Sequence, residues 1–306
     1  MRIAVIGAGG VGGYFGGRLA EAGNDVTFVA RGPHLEAIQE NGLRINSPKG
    51  DVVLQNAHFV DHISAVDAAD LVMVCVKLWD TEGIASDLKR LVDQGAMVIS
   101  FQNGVRKDEI LAKHVPGRAL IGGVGYIAAV IEAPGVIRHT GVMQALKFGE
   151  YDGRRTPRVE ALLDACLKAG IDAEISDDIQ QLIWKKFVFL VGLSGATASI
   201  RKPIGPIREN PQTRRFLYEI MREVVAVGRA RGVALPEDFA EDRLAFCDTL
   251  PATMFASMYH DLERGNRLEL PWLSGSVTEM GTELGIATPF NDAISDILAL
   301  HVSGTH

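Results

Sequence analysis

The chain begins with a short apolar run that leads directly into a glycine-rich turn, and this pattern limits the folds open to it. Residues 3–6 are Ile-Ala-Val-Ile, and such an uninterrupted apolar run is typical of a strand buried on both faces. The glycines at positions 7, 9 and 12 then match G-x-G-x-x-G, and a helical pattern follows at once. A strand that enters a helix through such a turn predicts a nucleotide-binding α/β unit.

Each glycine has a separate role in this interpretation. Gly7 makes the tight turn, Gly9 lets the backbone approach a pyrophosphate, and Gly12 lets the helix pack closely on the strand. The helix N-terminus offers unpaired N–H groups and a positive dipole end to the phosphates. The residues that we assign to dinucleotide binding are Gly7, Ala8, Gly9, Gly10, Val11 and Gly12. A purely structural glycine turn is the alternative.

Length and composition indicate the class of protein. A chain of 306 residues is long enough for two domains. Its formal net charge of −7 gives no basic footprint, so we expect no nucleic-acid partner. The 3 cysteines form no C-x-x-C pattern, which argues against a zinc site or a disulfide framework and fits a reducing compartment. We find no signal peptide and no apolar run long enough to span a bilayer, so we expect a cytoplasmic protein without a membrane partner.

Strand and helix patterns alternate in the first half of the chain, and helical patterns dominate the second. The predicted elements of the first half are strands at 26–30, 71–76, 96–100 and from 119, a helix at 84–92, a short antiparallel addition within 135–149, a helix at 158–169 and a strand at 172–175. The predicted helices of the second half are 179–198, 213–231, 238–247, 257–265, 272–284 and 289–302.

This order predicts an α/β protein with two domains. Residues 1–177 would form a dinucleotide-binding, Rossmann-type domain with a doubly wound parallel sheet, because strands alternate with helices there and the glycine turn follows the first strand. Residues 178–306 would form an all-helical substrate domain. We expect a small-molecule substrate in a cleft between the two domains.

The end of the second predicted strand bears on the choice of dinucleotide. NAD-binding versions of this fold carry an acidic residue there that binds the ribose 2′-OH. Residues 28–32 contain no acid, and Arg31 stands where a 2′-phosphate would lie, which favours NADPH over NADH. Lys77 follows the strand at 71–76 and is a second candidate at the same sheet edge. An exposed turn arginine and a surface lysine are the alternatives.

Three further side chains are candidates for chemistry. Asn103 follows another predicted core strand and is either a turn residue or an amide that reaches the nicotinamide or a reacting carbonyl. Lys186 shares one helix face with Leu190 and Ser194, and it is either a desolvated general acid or a lysine that extends to solvent. Glu269 lies between two leucines and is either buried with a partner or a capping or solvated carboxylate.

These features together resemble the ketopantoate reductase family (2-dehydropantoate 2-reductases) along essentially the whole chain. The segments that carry the resemblance are Ile3 to Gly12, Val76-Lys77, Gln102-Asn103-Gly104, Trp184-Lys185-Lys186, Gly265 to Glu269 and Gly285 to Asn291. The resemblance implies NADPH-dependent reduction of a 2-keto acid to a D-type 2-hydroxy acid, with 2-dehydropantoate as the default substrate.

The resemblance also implies roles for single residues. Lys186, the last residue of the Trp-x-Lys motif, would donate the proton to the developing alkoxide, and Glu269 would orient this lysine or bind the substrate. Asn103 would lie near the nicotinamide and the carbonyl. The remaining implied contacts are Ser257 with the substrate carboxylate, and Arg31 and Lys77 with the cofactor.

The chain departs from the family pattern on the lysine helix. The family usually carries asparagines one and two turns after the lysine, and Leu190 and Ser194 stand there instead. A bulkier branched or aromatic 2-keto acid, as used by a D-2-hydroxy acid dehydrogenase, is therefore the alternative substrate. A non-catalytic NADPH-sensing regulator and a flavin enzyme are alternatives of other kinds. A homodimer is compatible with a helical second domain, although no residue pattern defines an interface.

Overall fold

The computed structural model describes residues 1–305. The strands in chain order are β1 (Arg2–Ile6), β2 (Asp25–Val29), β3 (Leu43–Asn46), β4 (Val52–Leu54), β5 (His58–Val60), β6 (Leu71–Val74), β7 (Met97–Ser100), β8 (Leu120–Ala133), β9 (Val136–Gly149) and β10 (Asp172–Ile175). The helices are α1 (Gly10–Glu21), α2 (Gly32–Asn41), α3 (Thr81–Ala85), α4 (Leu88–Asp93), α5 (Lys107–Ala112), α6 (Pro157–Lys168), α7 (Ile179–Ile200), α8 (Ile204–Glu209), α9 (Pro211–Ala230), α10 (Phe239–Asp248), α11 (Ser257–Glu263), α12 (Ser274–Leu284) and α13 (Pro289–Leu298).

The chain divides into two compact units. Of the described residues, the first contains 1–102 and 107–179, and the second contains 103–106 and 180–305. The first unit holds the whole sheet, and the second is helical from α7 onward. An α/β fold with an N-terminal sheet domain and a helical C-terminal domain is therefore confirmed. The exact boundary at residues 177 and 178 stays a prediction.

The sheet is doubly wound around β1. Its order is β4-β3-β9-β8-β7-β6-β1-β2-β5, with β10 paired to β9. The six strands from β8 to β5 in this order run parallel. The chain proceeds outward from β1 in one direction through β2 and β5, and in the other through β6, β7 and β8. The direction of winding reverses between β1 and β6, which makes this place a topological switch point. In open α/β sheets, ligands bind at such a point, outside the carboxyl ends of the strands.

Alternate residues of β1 enter two different apolar cores. Ile3 and Val5 belong to one cluster, and Ala4 and Ile6 belong to another. Because successive side chains of a strand point to opposite faces, the sheet is covered on both sides. This explains why residues 3–6 read as an uninterrupted apolar run.

Several predicted elements have different bounds in the structure. The short antiparallel addition expected within 135–149 is instead one strand of 14 residues that pairs antiparallel with the equally long β8. The predicted helix at 84–92 is divided into α3 and α4. Strands β3, β4 and β5 and helix α8 were not predicted, because each has at most 6 residues and shows little periodicity.

Helix α7 forms the centre of the helical unit. Phe187, Val188 and Val191 are at most 1% exposed and belong to its core. In residues 1–305, α7 is also the one helix that is long and apolar enough to cross a membrane, so the expectation that no run reaches this length was wrong. However, 67% of its most apolar window is buried inside the protein, as in a central core helix.

Candidate active site

The turn after β1 has a backbone that only glycine fits. Gly7 has a φ of +101°, and a Cβ atom there would lie 2.8 Å from the Val76 nitrogen. Its N–H donates to the Val29 carbonyl at 3.0 Å, which joins the ends of β1 and β2. A Cβ atom on Gly12 would lie 2.1 Å from the Gly7 carbonyl oxygen. The turn therefore brings α1 close to the switch point.

Gly9 differs from the other glycines of the turn because the space beside it is open. A Cβ atom on Gly9 would meet no heavy atom within 4 Å, although its φ of −72° is open to any residue. Gly9 is the N-cap of α1, and no side chain caps the helix there. The backbone N–H groups at this terminus and the open space above Gly9 fit a pyrophosphate.

Two cationic residues flank this turn. Arg31 follows β2 and Lys77 follows β6, so they lie on either side of the end of β1. The Arg31 side chain is 77% exposed and pairs with Asp80 at 2.6 Å. The Lys77 ammonium lies 5.4 Å from the centre of the Trp79 ring. Asp80 had no role in the sequence prediction, because its contact with Arg31 joins segments 49 residues apart.

The buried Gln102 side chain fixes the end of β7. Its amide nitrogen donates to the Val76 carbonyl at 2.8 Å and to the Thr81 hydroxyl at 2.7 Å. The Ser100 hydroxyl donates to its amide oxygen at 2.9 Å. Gln102 therefore ties the end of β7 to the segment that carries Lys77.

A buried lysine ties the end of β7 to β8. Lys107 is 1% exposed, and its ammonium donates to the carbonyls of Ser100 and Gly123. Asp108 lies 3.3 Å from the same ammonium. Burial lowers the pKa of Lys107, and the neighbouring Asp108 opposes this shift. The sequence carries no signal for this contact, since lysine is usually a surface residue.

In the helical unit, the structure brings Lys186 and Asn103 together. The Lys186 ammonium donates to the Asn103 side-chain oxygen at 3.1 Å, and both residues are half-buried. Lys185 lies elsewhere on α7, with its ammonium 5.9 Å from the centre of the Phe239 ring. The two adjacent lysines thus have different surroundings, and only Lys186 lies beside the amide of the Asn-Gly turn.

The two residues that follow Lys186 on its helix face differ in polarity. Leu190 is half-buried and packs against the helical core. Ser194 is fully buried, and its hydroxyl has no hydrogen-bond partner within residues 1–305. A buried hydroxyl without a partner is costly, so Ser194 offers a place for a polar ligand atom or a water molecule.

Glu269 and Ser257 occupy two further segments of the helical unit. Glu269 is 7% exposed and precedes a short 3₁₀ turn, so it is the buried rather than the solvated carboxylate. Ser257 is exposed and begins α11. The preceding Ala256 N–H donates to the Thr197 hydroxyl at 3.4 Å, which ties the start of α11 to α7.

The described residues show no metal centre and no reactive thiol cluster. In residues 1–305, no group of three His, Cys, Asp or Glu side chains is arranged to bind a metal ion. Cys75, Cys166 and Cys247 are free thiols, and burial raises the pKa of each to about 12.

Comparisons with known proteins agree over both units. The family model described as ketopantoate reductase PanE/ApbA matches residues 3–153, and its C-terminal model matches residues 178–301. The 2-dehydropantoate 2-reductase of Halobacterium salinarum is 34% identical over 301 residues, which cover 98% of each chain. The uncharacterized oxidoreductase YkpB of Bacillus subtilis is 34% identical over 298 residues, or 96% of each chain.

A solved structure shares the whole architecture. The PanE/ApbA family ketopantoate reductase from Ralstonia eutropha JMP134 superposes with a TM-score of 0.89 at 32% identity, and the match covers 98% of each chain. Sequence and structure therefore agree from the glycine turn to the last helix. The chain belongs to the ketopantoate reductase family of oxidoreductases.

Proposed function

We propose that this chain is an NADPH-dependent reductase that converts a 2-keto acid into a D-type 2-hydroxy acid. The default substrate is 2-dehydropantoate, which gives pantoate, because relatives of 34% identity carry the name 2-dehydropantoate 2-reductase. The observation that carries the proposal is the 3.1 Å contact between the Lys186 ammonium and the Asn103 amide oxygen. In a chain of this family, that contact supports Lys186 as the proton donor.

The first unit supplies the dinucleotide site. Residues 7–12 would bind the pyrophosphate, because the uncapped N-terminus of α1 lies there and the space beside the Gly9 Cβ position is open. Arg31 would bind the 2′-phosphate and Lys77 would contact the cofactor at the same sheet edge. No acid at the end of β2 selects the 2′-OH of NADH instead. NADPH, when bound, supplies the hydride that reduces the keto carbon.

Lys186 supplies the proton in this proposal. Negative charge develops on the keto oxygen as the carbon is reduced, so an ammonium held beside it stabilises the transition state more than the ground state. Asn103 accepts one hydrogen bond from this ammonium and thereby restricts its position. The proton then moves from Nζ to the developing alkoxide.

Glu269 and two serines complete the assigned substrate site. The Glu269 carboxylate would orient Lys186 or accept a hydrogen bond from the substrate. Ser257 would donate to the substrate carboxylate, and the buried hydroxyl of Ser194 would bind a second polar atom of the substrate. These assignments come from the family resemblance. The burial of Glu269 and Ser194 supports them, because a buried polar group needs a partner.

Leu190 favours a second candidate function, reduction of a bulkier branched or aromatic 2-keto acid. Its apolar side chain is half-buried one turn after Lys186 and cannot hydrogen-bond a substrate hydroxyl. A substrate hydroxyl that is buried without a partner loses roughly 1–3 kcal/mol of binding free energy. An apolar side chain in the same place incurs no such loss.

The first experiment follows NADPH oxidation with 2-dehydropantoate and a panel of bulkier 2-keto acids. We expect turnover, and we expect Lys186→Ala to lower kcat by about 100-fold or more, as for loss of a general acid. Lys185→Ala is the matched control and should retain activity, because its ammonium faces Phe239. Full activity of Lys186→Ala would exclude the mechanism.

Two other outcomes would indicate a different class of protein. Wild-type protein that binds NADPH without any turnover would indicate a sensor, and a yellow purified protein would indicate a flavin enzyme.

A second variant separates the two substrate classes. Leu190→Asn should raise kcat/KM for 2-dehydropantoate relative to an aromatic 2-keto acid by about tenfold, since one hydrogen bond is regained. Leu190→Met keeps an apolar side chain and should leave this ratio unchanged. An unchanged ratio in Leu190→Asn would show that Leu190 does not select the substrate.

A further inference from the structure

His34 has a hydrogen-bond partner at each of its two ring nitrogens, although no motif assigns it a role. It lies in the first turn of α2 and is half-buried. Its Nε2 atom lies 2.9 Å from the carbonyl oxygen of Ala8. Its Nδ1 atom accepts the backbone N–H of Gly135 at 3.1 Å.

These two partners define the protonation state of the ring. A backbone N–H can only donate, so Nδ1 must carry a lone pair, and a carbonyl can only accept, so Nε2 must carry the hydrogen. His34 is therefore a neutral imidazole protonated at Nε2. Burial also lowers the pKa of His34, which agrees with a neutral ring.

The imidazole joins the glycine turn to the β8–β9 hairpin. Ala8 lies between Gly7 and Gly9, and Gly135 is the turn residue of the hairpin, with a φ of +77°. The same hairpin contacts the turn at a second point, because a Cβ atom on Gly10 would lie 2.1 Å from the Ala129 carbonyl oxygen. The turn is thus braced from one side by the hairpin and by His34.

The Ala8 carbonyl and the Gly9 N–H belong to one peptide group. In a trans peptide these two bonds point in opposite directions, and the described residues contain no cis peptide. A carbonyl that is bound to His34 therefore directs the Gly9 N–H away from the imidazole. Gly9 is also the residue of the turn whose Cβ position meets open space.

We propose that His34 is a positioning residue of the dinucleotide site, which orients the Ala8–Gly9 peptide so that the Gly9 N–H faces the pyrophosphate. The inference rests on the proposed binding of NADPH. His34 acts in this proposal through the Ala8–Gly9 peptide, and its effect is on the affinity for the dinucleotide.

The test measures the Kd for NADPH by fluorescence titration, together with kcat and both KM values. His34→Leu should raise the Kd and the KM for NADPH about tenfold, the effect of one hydrogen bond, while kcat and the KM for the 2-keto acid change less than about twofold. His34→Gln keeps a donor and an acceptor and should recover most of the affinity. His58→Leu removes an exposed histidine from the same unit and should match the wild type.

Several outcomes would overturn the inference. An unchanged Kd in His34→Leu would exclude it, and so would a parallel loss of kcat and of affinity for both substrates, which indicates a general structural defect. If His34→Leu does not fold, His34→Gln is compared with His34→Asn, whose side chain is shorter. Equal affinity of both variants for NADPH would exclude a role for the hydrogen bonds that join His34 to Ala8 and Gly135. Wild-type protein that binds neither NADPH nor NADH would overturn the proposed function itself.

Discussion

At the residue scale, Gly9 and Gly12 share one motif but differ in their surroundings. The Gly9 backbone conformation is open to alanine, and a Cβ atom there would meet open space. A Cβ atom on Gly12 would instead lie 2.1 Å from the Gly7 carbonyl oxygen, which is backbone and cannot move aside cheaply. Packing therefore requires glycine at position 12, whereas at position 9 only the proposed pyrophosphate would require it.

This difference predicts opposite effects of two alanine substitutions. Gly9→Ala should keep the melting temperature or raise it slightly, because the unfolded chain loses entropy, but it should weaken NADPH binding at least tenfold because the methyl group occupies the pyrophosphate space. Gly12→Ala should lower the melting temperature. Thermal unfolding and a fluorescence titration measure the two effects. Wild-type NADPH affinity in Gly9→Ala would place the pyrophosphate elsewhere.

At the element scale, the four residues 103–106 belong to the helical unit although their chain neighbours on both sides belong to the sheet unit. Three contacts fix the segment there. Asn103 accepts from Lys186, Val105 packs against the helical core, and Arg106 pairs with Glu279 of α12 at 2.5 Å. The ion pair therefore helps to hold the Asn103 amide beside the lysine.

We expect Arg106→Ala to lower kcat several-fold and to leave the Kd for NADPH unchanged, because the segment contributes to the lysine site and not to the glycine turn. Glu279→Gln should have a smaller effect, because the Glu279 side chain is 58% exposed and solvent screens the pair. Steady-state kinetics and the NADPH titration separate the two quantities. A variant that binds NADPH more weakly but turns over at the wild-type rate would contradict this assignment.

Local sequence patterns predict the elements of this fold better than they predict the contacts between distant residues. The glycine turn, the central strands and the helices from α7 onward except α8 follow from periodicity and turn residues, because those signals lie within a few neighbouring positions. The contact of Lys186 with Asn103 spans 83 positions, and that of His34 with Gly135 spans 101. Such contacts depend on the tertiary fold. The family resemblance implied that Lys186 and Asn103 both act near the reacting carbonyl, and it implied nothing about His34.

At the scale of the whole molecule, an ion pair fastens the end of the β8–β9 hairpin to α6. Glu150 follows β9 and is 7% exposed. Arg158 of α6 donates to both of its carboxylate oxygens, at 2.7 and 2.6 Å, and the Thr156 hydroxyl donates at 2.5 Å. The hydrogen bond from Arg158 is the main cause that lowers the pKa of Glu150. The ionised form is therefore more stable in the folded protein than in the unfolded chain.

The lowered pKa of Glu150 predicts a pH dependence of stability. A carboxyl whose pKa is lower in the folded state stabilises the protein above its unfolded pKa, about 4.3 for glutamate, and this contribution is lost as the pH falls through the folded value. Glu150→Gln should therefore lower the free energy of unfolding at neutral pH by about 2 kcal/mol. The difference from the wild type should shrink below about pH 4.

Denaturant unfolding at several pH values measures this difference, and Glu160→Gln is the matched control. Glu160 pairs with Arg155 on the surface of the same helix, and its side chain is 44% exposed. Because solvent screens exposed pairs, its substitution should produce little change at any of these pH values. Equal unfolding curves for Glu150→Gln and Glu160→Gln would show that the hairpin is held to α6 by apolar packing and not by the Glu150–Arg158 pair.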